Sequence, residues 1–334
     1  MSYNTSDQLI LQESIVATTV PVYLIFSFGF IGNGLAFYVL ISSSKNHKWV
    51  PFQRLVLGLL TTDTGALLLM FPVILVRFVS DFTYVFPTSL CNFSSFTLMF
   101  TMTSSALIVC MMSLDRFVAV VFPFTYKVQN KRSRANITLL SVWIFSAMFS
   151  CTHLLGFGSN FNFYPGTWCF LNYMGKSALD RASSFVFAVF GIIVVLVTVV
   201  TNCVVIVSLC RSQSSPQKRN HSFTIVFLMV LVLLFLLCTA PIMITVLSFA
   251  AQWTTNKDPK DNTTMALSVI NAIFDPWIYI LLRKEVLVRV RNKAIKLCSW
   301  LPFCHQNKLE LQESSGSTSG GESQNTADTA QTVV

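Results

Sequence analysis

The sequence predicts an all-α membrane protein: a seven-transmembrane helix bundle with a cytosolic amphipathic eighth helix. Three observations predict it. First, seven long apolar stretches run through the chain, at about 18–42, 53–76, 92–121, 137–157, 183–210, 222–250 and 264–282. About 20 such residues carry a helix across the ~30 Å hydrocarbon core. Second, the composition agrees: 53% of the residues are hydrophobic and only 11% charged, and a soluble domain of this size would not carry seven such runs. Within lipid every backbone N–H and C=O must be satisfied inside its own segment, so these runs are helices and not open strands. Third, the basic residues are distributed unevenly. Of the 23 Lys and Arg, only Arg77, Lys176, Arg181, Lys257 and Lys260 fall on the side where the N-terminus would lie. The positive-inside bias therefore places the N-terminus outside and the C-terminus in the cytosol. The net charge of +9 is a topology signal, scattered over cytosolic loops. It forms no groove-filling stripe, so no nucleic acid is expected as a partner.

The elements follow in order. Residues 1–17 are polar and lack a basic leading region. They read as an extracellular N-terminus without a cleavable signal peptide. Glycosylation sequons begin at Asn4 and Asn262 on the outer side. A third, at Asn92, sits at a helix mouth, and those at Asn136 and Asn220 face the cytosol. The transmembrane domain is expected to cover 18–282. Span one carries Asn33 between Gly32 and Gly34, and span two carries Asp63. Span three opens at Cys91, holds Ser104 and Ser105 at mid-depth, and closes on Asp115-Arg116-Phe117. Span seven carries Asn271 and Asp275. The basic amphipathic segment 283–298, with Leu287, Val290 and Ile295 among Arg and Lys, is expected to lie on the anionic inner leaflet. Residues 299–334 become rich in Ser, Thr, Gly and Gln and read as a disordered cytosolic tail. The ending Thr332-Val333-Val334 fits capture by a PDZ domain.

Polar groups inside spans are costly and mark function by default. Asp63 and Asp275, at similar depth, with Ser105 and Asn271, describe a hydrated pocket. Three readings stay open: a shared proton, a cation such as Na⁺, or a purely structural hydrogen-bond network. Asp115 beside Arg116 is a candidate switch, the carboxylate holding the guanidinium in one state. Cys91 and Cys169 both face the oxidising side, where a disulfide would pin the loop between spans four and five over the bundle. The alternative is two free outer thiols. Cys298 and Cys304 follow the amphipathic segment and are candidates for S-palmitoylation.

Together Asn33, Asp63, Cys91, Arg116, Trp143, Cys169 and Pro276 resemble the hallmark residues of rhodopsin-like G-protein-coupled receptors. Two segments narrow the resemblance to prostanoid receptors. Tyr164-Pro165-Gly166-Thr167-Trp168-Cys169-Phe170 is similar to their second outer loop. Asp275-Pro276-Trp277-Ile278-Tyr279 and the residues after it are similar to their span-seven ending, nearest the prostaglandin E2 types. The resemblance implies a plasma-membrane receptor for a fatty-acid-derived carboxylate, acting through a heterotrimeric G protein, with arrestin and PDZ-domain proteins as further partners. It implies a hydrophobic slot between helices, with the Thr167 hydroxyl reaching the carboxylate and Trp168 beside it; Phe78, a further candidate at the slot, stands where the family has a Tyr at the outer end of span two. One departure is sharp. The family's carboxylate-binding Arg, nine residues before Asp275, is Ala266 here, which leaves Arg77 as the cation at an outer helix end near the slot.

Other classes fit less well. A seven-span transporter calls for internal repeats or broken helices, and the sequence has no internal repeat. An enzyme calls for a nucleophile or metal set, whereas the four His are scattered in or near loops. A receptor for another lipid remains the nearest alternative.

Overall fold

The structure, a computed structural model, describes residues 5–44, 51–80, 83–128, 131–163, 166–211, 218–253 and 263–281. Its helices are α1 (Thr5–Ser44), α2 (Pro51–Val79), α3 (Thr88–Val121), α4 (Pro123–Val128), α5 (Lys131–Cys151), α6 (Ala178–Arg211), α7 (Lys218–Ala250) and α8 (Thr263–Leu281). All but the short α4 are long and apolar enough to cross a membrane. Two strands, β1 (Asn160–Phe163) and β2 (Trp168–Leu171), lie between α5 and α6. Met1–Arg283 forms one compact unit. Everything from 282 onward lies outside the described residues, including the expected amphipathic segment 283–298, Cys298, Cys304 and the tail. Asn4 and Asn262 lie outside them as well.

Two helix ends differ from the sequence expectation. The α1 backbone is helical from Thr5, well ahead of the apolar run. Residues 5–17 contain no Gly or Pro, and a nucleated helix propagates one bond per residue until something stops it. At about 1.5 Å per residue, 40 residues reach roughly 60 Å, twice the hydrocarbon thickness. Conversely α5 stops at Cys151, not near 157. Leu154, Leu155 and Phe157 prolong the apolar run past the helix, and all three are exposed. Gly156 and Gly158, on either side of Phe157, take φ 98° and 106°, a left-handed backbone that glycine adopts without strain and that turns the chain toward β1.

The bundle is apolar outside, and its largely apolar interior also holds polar groups. Ile31, Leu68, Ile137 and Leu237 are exposed on helices where lipid would lie. Asn33, Asp63, Ser104, Ser146 and Asn202 are buried. These polar groups fasten helices together. Asn202 Nδ2 donates to Ser113 Oγ at 2.8 Å, joining α6 to α3. Trp143 Nε1 donates to Thr62 Oγ1 at 3.0 Å, joining α5 to α2. Asn33 Nδ2 donates to Gly29 O at 3.0 Å and to Ala272 O at 3.4 Å, joining α1 to α8. Interhelical bonds of this kind average about 0.6 kcal/mol in membrane proteins, so they set register more than they supply stability. The central helix is α3, packed on α2, α5, α6 and both strands.

The hairpin is a structural addition to what the spans predict. Asn160 pairs with Leu171, Phe161 with Phe170, Asn162 with Cys169 and Phe163 with Trp168, antiparallel. The turn holds Gly166 at φ 88°, with its N–H donating to Phe163 O at 2.6 Å. All four residues of β2 are buried.

Candidate functional site

The hairpin is tied down at several points. Cys91, in the first turn of α3, forms a disulfide with Cys169 in β2, the Cα atoms 5.2 Å apart. Ser95 Oγ donates to Asn160 Oδ1 at 2.6 Å, fixing β1 to α3. Asp180, at the start of α6, accepts from Ser159 N at 2.7 Å and from Ser159 Oγ at 2.9 Å. Phe163 stacks on Trp168 with ring centroids 4.7 Å apart. These restraints set Thr167 and Trp168 over the helix bundle.

Beneath them lies a cavity of about 340 Å³, at the lower end of the range for small-molecule sites. Phe78, Thr167 and Trp168 line one end, and Asp63, Ser105 and Asn271 line the other. The walls between are apolar, with Met70, Leu98, Met102 and Phe235 among them. Ala266 also lines it. Thr167 and Trp168 are each 7% exposed. Among the described residues, Trp168 Nε1, a donor only, has no hydrogen-bond partner.

At the deep end Ser105 Oγ donates to Asp63 Oδ1 at 2.9 Å. Asn271 Nδ2 donates to Asp275 Oδ2 at 2.9 Å. Asp63 Oδ2, Asn271 Oδ1 and Asp275 Oδ1 are buried acceptors with no partner among the described residues. Unpartnered oxygens of this kind suit a hard cation such as Na⁺ or a ligand hydroxyl, the cation being one of the three readings that the sequence leaves open. Among the described residues no cluster of three or more His, Cys, Asp or Glu offers a transition-metal site.

Arg77, the cation that the sequence places at an outer helix end near the slot, is not among the described residues that line the cavity. It donates through Nη1 to the Tyr84 carbonyl. A Cβ at Gly166 would collide with its guanidinium, so the side chain lies flat against the turn of the hairpin. Its last-turn position on α2 reaches sideways to backbone carbonyls, which a guanidinium satisfies readily.

At the far end of α3, Asp115 is 8% exposed and holds two guanidinium groups. Arg116 Nη2 lies 2.7 Å from Oδ2. Arg134 Nη2, from α5, lies 2.7 Å from Oδ1. The Tyr126 hydroxyl is 3.3 Å from both oxygens. Burial, and then the Asp115 charge, push the Tyr126 phenol above its ordinary value, so it stays protonated and donates. Arg116 also rests over the Phe52 ring at 4.7 Å, a cation–π contact. In the sequence Arg134 is one of several basic residues in Lys131-Arg132-Ser133-Arg134. No local pattern distinguishes it from its neighbours, because its partner comes from another helix.

Residues 32–279 match the family profile described as 7 transmembrane receptor (rhodopsin family). The chain is similar to the prostaglandin E2 receptor EP4 subtype of Rattus norvegicus, 29% identical over 86% of this chain and 68% of that protein. The human prostaglandin E2 receptor EP4 subtype is likewise 29% identical, over 86% of this chain and 67% of its own length. The prostacyclin receptor of Mus musculus is 27% identical over 86% of this chain and 72% of its own.

Proposed function

Because the chain belongs to the rhodopsin family of seven-transmembrane receptors, we propose that it binds a prostanoid-like lipid, of prostaglandin E2 type, and signals through a heterotrimeric G protein. The observation that carries this reading is the apolar cavity capped by Thr167 and Trp168 and floored by Asp63. Its similarity to prostaglandin E2 and prostacyclin receptors supports the ligand class.

The proposed mechanism is a population shift. A ligand changes the conformational balance only by its difference in affinity between two states. The cavity is lined by α1, α2, α3, α7, α8 and the hairpin, so a ligand there touches five of the spanning helices at once. The Asp115–Arg116 pair at the opposite end of α3 is the proposed switch. The proposed topology puts the hairpin outside and Arg116 in the cytosol, with the protein in the plasma membrane. Arrestin and a PDZ-domain protein are proposed as cytosolic partners, the latter through Thr332-Val333-Val334.

The test is a panel of prostanoids on cells expressing the full chain, read by both cAMP and Ca²⁺. A concentration-dependent response, absent from untransfected cells, is the expected result. Substrate flux without a second-messenger response would favour a transporter.

A further inference from the structure

The cavity's own chemistry bears on the ligand's head group, and this inference rests on the lipid-receptor reading above. Among the described residues that line the cavity there is no Lys, Arg or His. The one ionisable side chain lining it is an acid, Asp63, with Oδ2 unpartnered. At the other end the polar groups are the Thr167 hydroxyl and the Trp168 indole N–H, both neutral. Arg77 donates to the Tyr84 carbonyl and lies against Gly166, outside the lining.

A carboxylate moved from water into such an enclosure loses its hydration and gains no counter-charge. Two neutral donors replace only part of that hydration. An ester or amide carbonyl sheds far less hydration and accepts from the same two donors at full value. At the deep end Asp63 Oδ2 and Asn271 Oδ1 are acceptors, and they call for a donor on the ligand. A hydroxyl supplies it.

We propose that the cavity takes an uncharged oxygenated lipid: a long-chain ester or amide carrying a hydroxyl group. Its carbonyl head lies at Thr167 and Trp168, its chain against Met70, Leu98, Met102 and Phe235, and its hydroxyl toward Asp63 and Asn271. Ala266 is the residue that makes this selection, since its small apolar side chain leaves the wall uncharged.

The experiment uses the full chain in cells and in membranes prepared from them. The probes are prostaglandin E2 as free acid, as methyl ester and as its hydrolysis-resistant N-(2-hydroxyethyl) amide. Competition binding and second-messenger output are read together, normalised to surface receptor. The expected result is that ester and amide exceed the acid by tenfold or more. An acid that equals or exceeds them overturns the inference and leaves the lipid-receptor reading standing. Silence to all three overturns that reading and the inference with it. Two variants locate the head. Trp168→Phe keeps the ring and removes the donor, and should weaken ester and amide about 2- to 10-fold. Ala266→Arg should raise acid affinity relative to amide by about 10- to 150-fold, the worth of one charge-assisted hydrogen bond. Binding unchanged in both variants, at normal surface level, overturns the placement.

Discussion

Asp115 shares its charge between Arg116 and Arg134, and the sharing has a consequence. If Arg116 swings away, Asp115 keeps Arg134 and Tyr126 and is not left as an uncompensated buried carboxylate. If the proposed switch operates, Arg134 lowers the cost of releasing it. Asp115→Asn is expected to raise basal second-messenger output, and Arg116→Ala to reduce coupling. Arg134→Ala is expected to lower basal output, because Asp115 then leans harder on Arg116. Basal output in Arg134→Ala that climbs to the level of Asp115→Asn would show Arg134 to be a restraint instead. A second residue-scale case is Gly32. A Cβ there would run into the Trp277 indole, which is itself stacked on Phe28 with centroids 4.4 Å apart. The stacked indole has little room to retreat, so Gly32→Ala should cost about 1–3 kcal/mol of stability. Gly34→Ala, with nothing within 4 Å of its Cβ, is the control and should be neutral or slightly stabilising. Thermal unfolding of the solubilised receptor compares the two.

At the scale of elements, the hairpin matters because it is the lid on the cavity. The disulfide joins β2 to α3 across 78 residues of sequence. Cys91→Ala or Cys169→Ala should release the hairpin and sharply lower both ligand binding and surface receptor; normal binding in either would free the lid of this role. His153, just past the end of α5, is a second determinant of this end of the bundle. It is 4% exposed, and neither ring nitrogen has a partner among the described residues. Burial pulls its imidazole from 6.5 down to about 4. The unfolded chain then binds a proton that the folded one refuses, so stability rises with pH. The contribution is fully present above about 6.5 and is lost as pH falls toward 4. His153→Leu should flatten the melting temperature between these limits; an undiminished acid slope would assign it to other groups.

For the molecule as a whole, the cavity floor is where a ligand and a cation would meet. Both would use Asp63 Oδ2 and Asn271 Oδ1. Two ligands sharing donors must weaken each other, and the coupling is reciprocal. Replacing Na⁺ by a bulky organic cation should therefore strengthen binding of a hydroxyl-bearing lipid, and Asp63→Asn should remove the difference. Equal affinity in both salts for the unsubstituted receptor would exclude a cation from the floor.

Much of this architecture is legible in the chain itself. The bilayer fixes how long an apolar run must be, so seven runs give seven helices. Burying Asn33, Asp63 and Asn271 in lipid is costly, so they turn inward. The topology places Cys91 and Cys169 on one side. Helix ends are less legible, because Leu154, Leu155 and Phe157 are as apolar as a helix interior, yet α5 ends before them at Cys151. The hairpin register, the turn of Arg77 toward Tyr84 and Gly166, and the pairing of Arg134 with Asp115 were decided by tertiary structure alone. Each depends on a partner contributed by a distant element. A sequence fixes which groups need partners through their own chemistry, but packing decides which partner each one meets.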